Sequence, residues 1–249
     1  MIKNKRAKYI IGVLLILFVA RFAYKYSPRR VEFLGHYNKV WAHRVNSKEK
    51  LASAINYFEG VELDLIYHSE TKTLDVVHPP APSIGLSFEE YLESIPENKQ
   101  PNLWLDIKNL SSKNAIEVNE RITHLIGIKN YPFEKVLIDS QNHEALKLIT
   151  ASKFQRLYYL PIGLHKKTPA DLENTITSIK EVLLNNKLSG ISSNYEDYDI
   201  LAKHFPNQDK YLWKIDGFTI KNYFKTRKIL KDTTVKVVLS RYKPIKGSR

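Results

Sequence analysis

The sequence predicts an α/β fold, a (β/α)8 TIM barrel behind a short N-terminal hydrophobic anchor helix, and three observations predict it. Eight short runs rich in Val, Ile, Leu and Tyr alternate with longer amphipathic stretches over about 200 residues. The chain has 249 residues with 43% hydrophobic and 11% aromatic content, enough for one sizeable core and a usual length for a single closed barrel. With 9 glycines, no Gly-rich phosphate loop follows the first run, so a dinucleotide fingerprint has no position; an open doubly wound sheet is the alternative architecture.

The elements follow in chain order. From Tyr9 to Ala20 the chain reads YIIGVLLILFVA and stays apolar through Phe22, Ala23 and Tyr24 beyond a single Arg21. Twelve helical residues span about 18 Å and sixteen about 24 Å, short of a hydrocarbon core of about 30 Å, although Tyr, Lys and Arg at the ends can snorkel. An uncleaved signal anchor or a signal-peptide h-region fits, no small-x-small cleavage site follows, and a buried core helix is the bland alternative. Four basic residues precede the segment and four follow, so the charge rule for topology is nearly balanced; the expectation is a single-pass anchor with the barrel on the extracytoplasmic side. Residues 1–30 thus read as anchor and linker, ending in Ser27-Pro28-Arg29-Arg30, and residues 31–249 as the barrel.

The strand-like runs are Lys39–Arg44, Val61–Tyr67, Leu103–Lys108, Lys135–Ser140, Arg156–Ile162, Leu188–Asn194, Lys210–Asp216 and Lys236–Arg241. Between them the helical stretches are Ser47–Phe58, Ser87–Ser94, Ser112–Ile126, Asn142–Ala151, Thr168–Asn185, Asp197–His204 and Thr219–Leu230. Ser47 ahead of Lys48-Glu49-Lys50 is a cap, and Thr168-Pro169 sets proline at a first helical position.

Charge and cysteine usage exclude several function classes. Of the net charge of +13, eight positive charges precede the first acidic residue, Glu32, leaving +5 for the remainder. That modest excess suits anionic substrates or a membrane surface, and lacks the dense Lys/Arg stripe of nucleic-acid binding. Zero cysteines exclude disulfides, thiolate catalysis and Cys-type zinc sites.

Polar residues stand where apolar strands should end: Ala42-His43-Arg44, Gly60-Val61-Glu62-Leu63-Asp64, Val76-Val77-His78 and Leu103-Trp104-Leu105-Asp106-Ile107-Lys108. A charge there is costly unless it is paired or binds a metal. Active sites of closed barrels lie at the carboxyl ends of the strands, and residues two apart on a strand share a face, so Glu62 points with Asp64 and Asp106 with Lys108. His43 lies opposite Arg44 unless the strand has ended by then. Three converging carboxylates would repel one another, and a hard divalent cation, Mg2+ or Ca2+, is the natural occupant of such an all-oxygen site. His43 and His78 suit acid/base work on a phosphodiester, Arg44 offers a planar fork to a phosphoryl oxygen, and Lys108 a point charge. Each reading has a bland counterpart: Glu-x-Asp as a solvated strand edge, each histidine as a structural one. His68, His124, His143, His165 and His204 read as surface or capping residues.

The order His-Arg, Glu-x-Asp, His, then acid-x-Lys resembles the glycerophosphodiester phosphodiesterases and the wider phospholipase-C-like phosphodiesterase superfamily of barrels. WAHRVNSKEKL, VELD, VVHPP and LWLDIK further resemble the menorin family, a barrel family placed by similarity in that superfamily. The resemblance runs from about Lys39 to Pro244 and is most specific in its front half. It implies His43 and His78 as catalytic acid/base, Glu62, Asp64 and Asp106 as metal ligands, and Arg44 and Lys108 on the phosphate. Trp213 matches a tryptophan of the phosphodiesterase pattern and would wall the pocket, with ordinary core or rim packing as its alternative. Three departures stand out: Val45 replaces the glycine that usually follows His-Arg, Pro79 the Asp after the second histidine, and Asp106 the usual Glu. The implied activity is metal-dependent hydrolysis of a small glycerophosphodiester or a lipid or envelope headgroup. The alternatives are a non-catalytic menorin-like binding barrel and a phosphodiester lyase of the same fold.

Overall fold

The computed structural model describes residues 2–150, 152–215 and 219–244. The strands are β1 (Val40–His43), β2 (Gly60–His68), β3 (Thr73–Val76), β4 (Asn102–Ile107), β5 (Val136–Ser140), β6 (Gln155–Tyr159), β7 (Gly190–Asn194), β8 (Lys210–Ile215) and β9 (Val235–Arg241). The helices are α1 (Ile2–Tyr26), α2 (Lys48–Ala54), α3 (Phe88–Glu93), α4 (Ala115–Ile128), α5 (His143–Lys147), α6 (Pro169–Asn185), α7 (Tyr198–His204) and α8 (Ile220–Lys231). All strands but β3 run parallel in neighbouring order, and β1 closes the sheet by pairing with β9 from Val40↔Val238 to His43↔Arg241 and with β2 at Ala42↔Val61. The chain is a TIM barrel, as the alternation of runs predicts.

Two apolar layers hold it together. Inside the barrel, Trp41, Trp104, Leu137, Leu157, Tyr211, Val237 and Leu239 form a separate cluster. Gly60 faces this cluster, and a Cβ there would lie 2.2 Å from the Trp41 indole; the missing side chain is what lets the indole fill the barrel floor. The larger layer lies between strands and helices, where α4 buries Ala115, Val118, Ile122, Leu125 and Ile126 on one stripe. The expected caps form: Ser47 accepts from the Lys50 N–H, and Thr168 accepts from Asp171 ahead of Pro169.

Three features differ from the expectation. Strand β3 had no predicted counterpart; β2 continues beyond the barrel rim to His68, turns through Lys72 at φ 52°, and β3 returns antiparallel from His68↔Thr73 to Leu65↔Val76. Its four residues, one of them Asp75, are too few to show an alternating pattern. Helix α5 ends at Lys147; Ala151 and Asp216, the expected ends of one helix and one strand, lie outside the described residues. His165 is tied to a buried carboxylate, with Nδ1 2.5 Å from Asp197 Oδ1.

Helix α1 is exposed along its apolar length, from Tyr9 at 77% to Phe22 at 48%. The stretch Lys8–Phe33 is long and apolar enough to cross a membrane, with a mean hydropathy of 1.7 in its most apolar window and none of that window buried. Beyond it, Arg30 is fully buried and its Nε donates to Glu32 Oε1 at 2.7 Å, while the Tyr24 hydroxyl donates to Glu32 Oε2 at 2.6 Å. The last turn of α1 packs beside the end of β9, where Lys243 Nζ lies 4.5 Å from the Tyr26 ring centre and 5.1 Å from that of Phe22.

Candidate active site

At the carboxyl ends of the parallel strands a cavity of ≈ 690 Å³ is lined by all eight residues singled out from the sequence: His43, Arg44, Glu62, Asp64, His78, Asp106, Lys108 and Trp213. The strands deliver them by register. Asp64 pairs across the sheet with Asp106, and Asp106 with Asp139, so three neighbouring strands each bring a carboxylate to the same level. Strand β1 ends at His43, and Arg44 then adopts the left-handed region at φ 54°. That turn resolves the facing problem: His43 and Arg44 both reach the cavity, and the Arg44 N–H donates to Glu62 Oε2 at 2.6 Å. Val45 follows in a regular conformation and donates its N–H to the Glu62 carbonyl at 2.7 Å, so the glycine usual at that position is not required for this turn.

The two histidines flank the acidic cluster. His43 Nε2 lies 3.7 Å from Glu62 Oε2, and His78 Nε2 lies 3.9 Å from Asp64 Oδ1 and 2.7 Å from Arg44 Nη2. His78 arrives from the β2–β3 hairpin: the Val77 N–H donates to the Asp64 carbonyl at 3.1 Å, which sets the next side chain against that strand end. Lys108 Nζ bridges two carboxylates, 2.7 Å from Asp64 Oδ1 and in direct hydrogen-bond contact with Asp106. The residue expected on a phosphate therefore also neutralises two expected metal ligands.

Several site residues went unnoticed in the sequence. Asn46 Nδ2 donates to Asp64 Oδ2 at 2.7 Å, and its Oδ1 accepts from the Asp64 N–H at 3.1 Å, which fixes the carboxylate plane. Lys50 Nζ donates to the carbonyls of His43 and Arg44, both at 2.8 Å, and clamps the loop that carries them. Asp139, fully buried, accepts from the Trp104 indole N–H at 3.1 Å and from the Ser192 hydroxyl at 2.8 Å. Its signal was present: an Asp after the apolar run Val-Leu-Ile, the same pattern that marked Asp106. Trp213 packs edge-on to Tyr159 with ring centres 5.6 Å apart, and its buried indole N–H has no partner among the described residues. A second lobe of ≈ 510 Å³ shares His78, Asp106, Lys108 and Tyr159 and adds Ser140, Gln141 and Asn142.

Burial dominates the electrostatics. It raises Glu62 well above the usual carboxylate range, and repulsion from Asp64 and Asp106 adds to this against the Arg44 N–H and Lys108. Burial likewise raises Asp106, and raises Asp139 well above its usual range with Asp106 adding to it. It drives His43 well below the ordinary imidazole value, helped by Arg44 and Lys50, and lowers Lys50 to about 8. For Lys108 burial acts to lower the value, but Asp106 and Asp64 outweigh it and the ammonium is held charged.

These features decide whether a cation fits. Ligand oxygens of Glu62, Asp64 and Asp106 lie within 4.8 Å of one another, and two of the three carboxyls are strained toward protonation by burial and mutual repulsion. A divalent cation removes that repulsion, and the all-oxygen donor set fits Mg2+ or Ca2+.

No family model and no curated protein matches this sequence. Solved structures do match. An Oleispira antarctica phosphodiesterase in complex with the product sn-glycerol-3-phosphate aligns with a TM-score of 0.56 and 16% identity, covering 82% of this chain and 93% of that one. A protein assigned as a glycerophosphodiester phosphodiesterase from Galdieria sulphuraria aligns at 0.53 and 19%, covering 82% and 94%. One assigned as a glycerophosphoryl diester phosphodiesterase from Agrobacterium tumefaciens aligns at 0.57 and 15%, covering 81% and 92%. At these identities the likeness is one of fold.

Proposed function

We propose that this chain is a metal-dependent phosphodiesterase of the glycerophosphodiester type, held in a membrane by α1 with its barrel on the extracytoplasmic side. The observation that carries the reading is the convergence of two imidazoles, a guanidinium, an ammonium and three carboxylates on one cavity at the strand ends. The fold it shares with a phosphodiesterase whose product is sn-glycerol-3-phosphate, and with proteins assigned as glycerophosphodiester phosphodiesterases, supports the same reading.

Glu62, Asp64 and Asp106 would hold the divalent cation. When bound, it supplies Lewis-acid charge next to the phosphoryl oxygens. Arg44 orients the phosphate through its fork, and Lys108 balances charge on the Asp64–Asp106 side. Of His43 and His78, one removes a proton from the attacking water and the other delivers a proton to the leaving oxygen. Trp213 and Tyr159 wall the cavity against water.

Purified full-length protein assayed against a panel of phosphodiesters, with and without chelator, tests this. The reading expects chelator-sensitive turnover that His43→Ala and His78→Ala each reduce by about 10²–10⁴. An inert panel with Mg2+, Ca2+ and Mn2+ supplied overturns it.

One observation favours a second reading, a non-catalytic barrel of the menorin kind. Lys108 already neutralises Asp64 and Asp106 internally, as a pocket without a metal would require. In that case the two histidine variants leave ligand binding untouched. A lyase of the same fold would release a cyclic phosphate, which phosphorus NMR separates from the hydrolytic product.

A further inference from the structure

The apolar helix and the cavity share one end of the barrel. Tyr26, in the last turn of α1, lines the cavity itself, next to Arg241 and Lys243 at the end of β9. Four residues earlier, Phe22 is part of the exposed apolar length, and four residues of helix advance about 6 Å. A bilayer that holds α1 therefore begins within about one helical turn of the cavity mouth.

The rim on this side carries what such a surface needs. Ile162, in the loop after β6, is 63% exposed; Ile220, at the start of α8 beyond β8, is 73% exposed, and Phe224 one turn later is 66% exposed. Each lies near the carboxyl end of a parallel strand, the end at which the cavity opens. Lys166 and Lys167 follow Ile162 in its loop, and Lys221 follows Ile220; all three are exposed and have no carboxylate partner among the described residues. Exposed aliphatic side chains beside unpaired lysines, on the sector from which an apolar helix leaves, match the requirements of a membrane interface bearing anionic lipid. The opposite side of the mouth is bounded by the β2–β3 hairpin, whose turn from His68 to Thr73 is polar and beyond which a single large exposed aliphatic side chain, Ile84, stands.

We propose that this rim rests on the bilayer that holds α1, so that the substrate is a phosphodiester lipid hydrolysed while its acyl chains stay in the membrane. The substrate half of this rests on the phosphodiesterase reading; the orientation does not. In the reaction, the water oxygen bonds to phosphorus as the bond from phosphorus to the headgroup oxygen breaks, and the departing oxygen takes up a proton. A phosphomonoester lipid remains in the bilayer and the headgroup alcohol is free.

The absence of cysteine makes the orientation directly measurable. Ile220→Cys and Phe224→Cys, each labelled with an environment-sensitive fluorophore, are compared with Ile128→Cys in the full chain, reconstituted in phosphatidylcholine vesicles with and without phosphatidylglycerol. Ile128, 51% exposed, ends α4 at the opposite end of the barrel. The expected result is blue-shifted emission, quenched by doxyl-labelled lipid, at positions 220 and 224 and not at 128, stronger with phosphatidylglycerol. Aqueous emission at both rim positions overturns the proposal whatever the enzyme hydrolyses.

The substrate is tested by offering phosphatidylglycerol in the same vesicles against soluble glycerophosphoglycerol. The double variant Ile220→Asp/Phe224→Asp should lower turnover of the vesicle lipid at least about tenfold and leave that of the soluble diester unchanged. Equal loss on both, or turnover of the soluble diester alone by the parent protein, overturns the lipid assignment. Rim labels in the membrane with no phosphodiester cleaved would instead remove the phosphodiesterase reading and leave the docking surface standing.

Discussion

The Arg44 N–H donates to Glu62 Oε2 at 2.6 Å because Arg44, at φ 54°, turns the chain back across the end of β1. One left-handed residue thus aims a backbone donor at a carboxylate and brings two consecutive side chains into the same cavity. For a residue with a Cβ that conformation costs about 1–2 kcal/mol.

Arg44→Gly and Arg44→Ala both remove the guanidinium, but only the second keeps a Cβ at positive φ. Arg44→Gly is expected to be more stable than Arg44→Ala by about 1 kcal/mol in urea denaturation, with both inactive. Equal midpoints would remove the strain argument.

Metal binding should read out as stability. For a cation present at about 100 times its dissociation constant, the unfolding free energy rises by about 2.7 kcal/mol. Glu62→Gln should abolish that increment in thermal unfolding with millimolar Mg2+ or Ca2+, while Lys50→Met, which leaves all three carboxylates in place, retains it.

Lys50 holds the carbonyls of His43 and Arg44, and hydrogen bonds from a charged donor are worth about 1.5–3 kcal/mol each. Lys50→Met is expected to lower kcat/KM by about 10–100-fold through misplacement of that loop. Restoration by Lys50→Arg would support the clamp.

Asp139 is a proton-linked stability element. Its native pKa stands above the unfolded value of about 3.9, so its neutral form is favoured on folding. Its contribution is present in full below the unfolded value and is lost as pH rises through the raised native value. Asp139→Asn should flatten the fall of unfolding free energy above pH 4 in chelator-treated protein; an unchanged slope would show that Asp139 does not carry it.

Gly60 is required by the Trp41 ring. Gly60→Ala places a methyl 2.2 Å from the indole and should cost about 1–3 kcal/mol, read by denaturation and by a change in tryptophan emission.

The barrel was legible in the sequence because parallel strands buried on both faces read as apolar runs, and seven amphipathic stretches, several of them opened by a cap signal, separate them. The cluster was legible because its charges interrupt those runs. Asn46 and Lys50 were not, since a single loop or first-turn helix residue that touches a carboxylate or a carbonyl leaves no periodicity. Asp139 leaves a weaker signal because it is the lone charge on its strand, whereas Glu62 and Asp64 form a pair. Strand β3 escaped because its register is set by β2, a long-range partner, and not by its own four residues.

The origin of the two imidazoles separates what can vary in this molecule from what cannot. His43 sits on a strand of the closed sheet, where a shift of one residue would unpair β1 from β9. His78 comes from a hairpin that pairs with one strand of the closed sheet, β2, and sets Leu74 and Val76 into the core beside α3. Remodelling the loop that follows Val76 can therefore move one imidazole of the cavity without unpairing any strand of the closed sheet that holds the other.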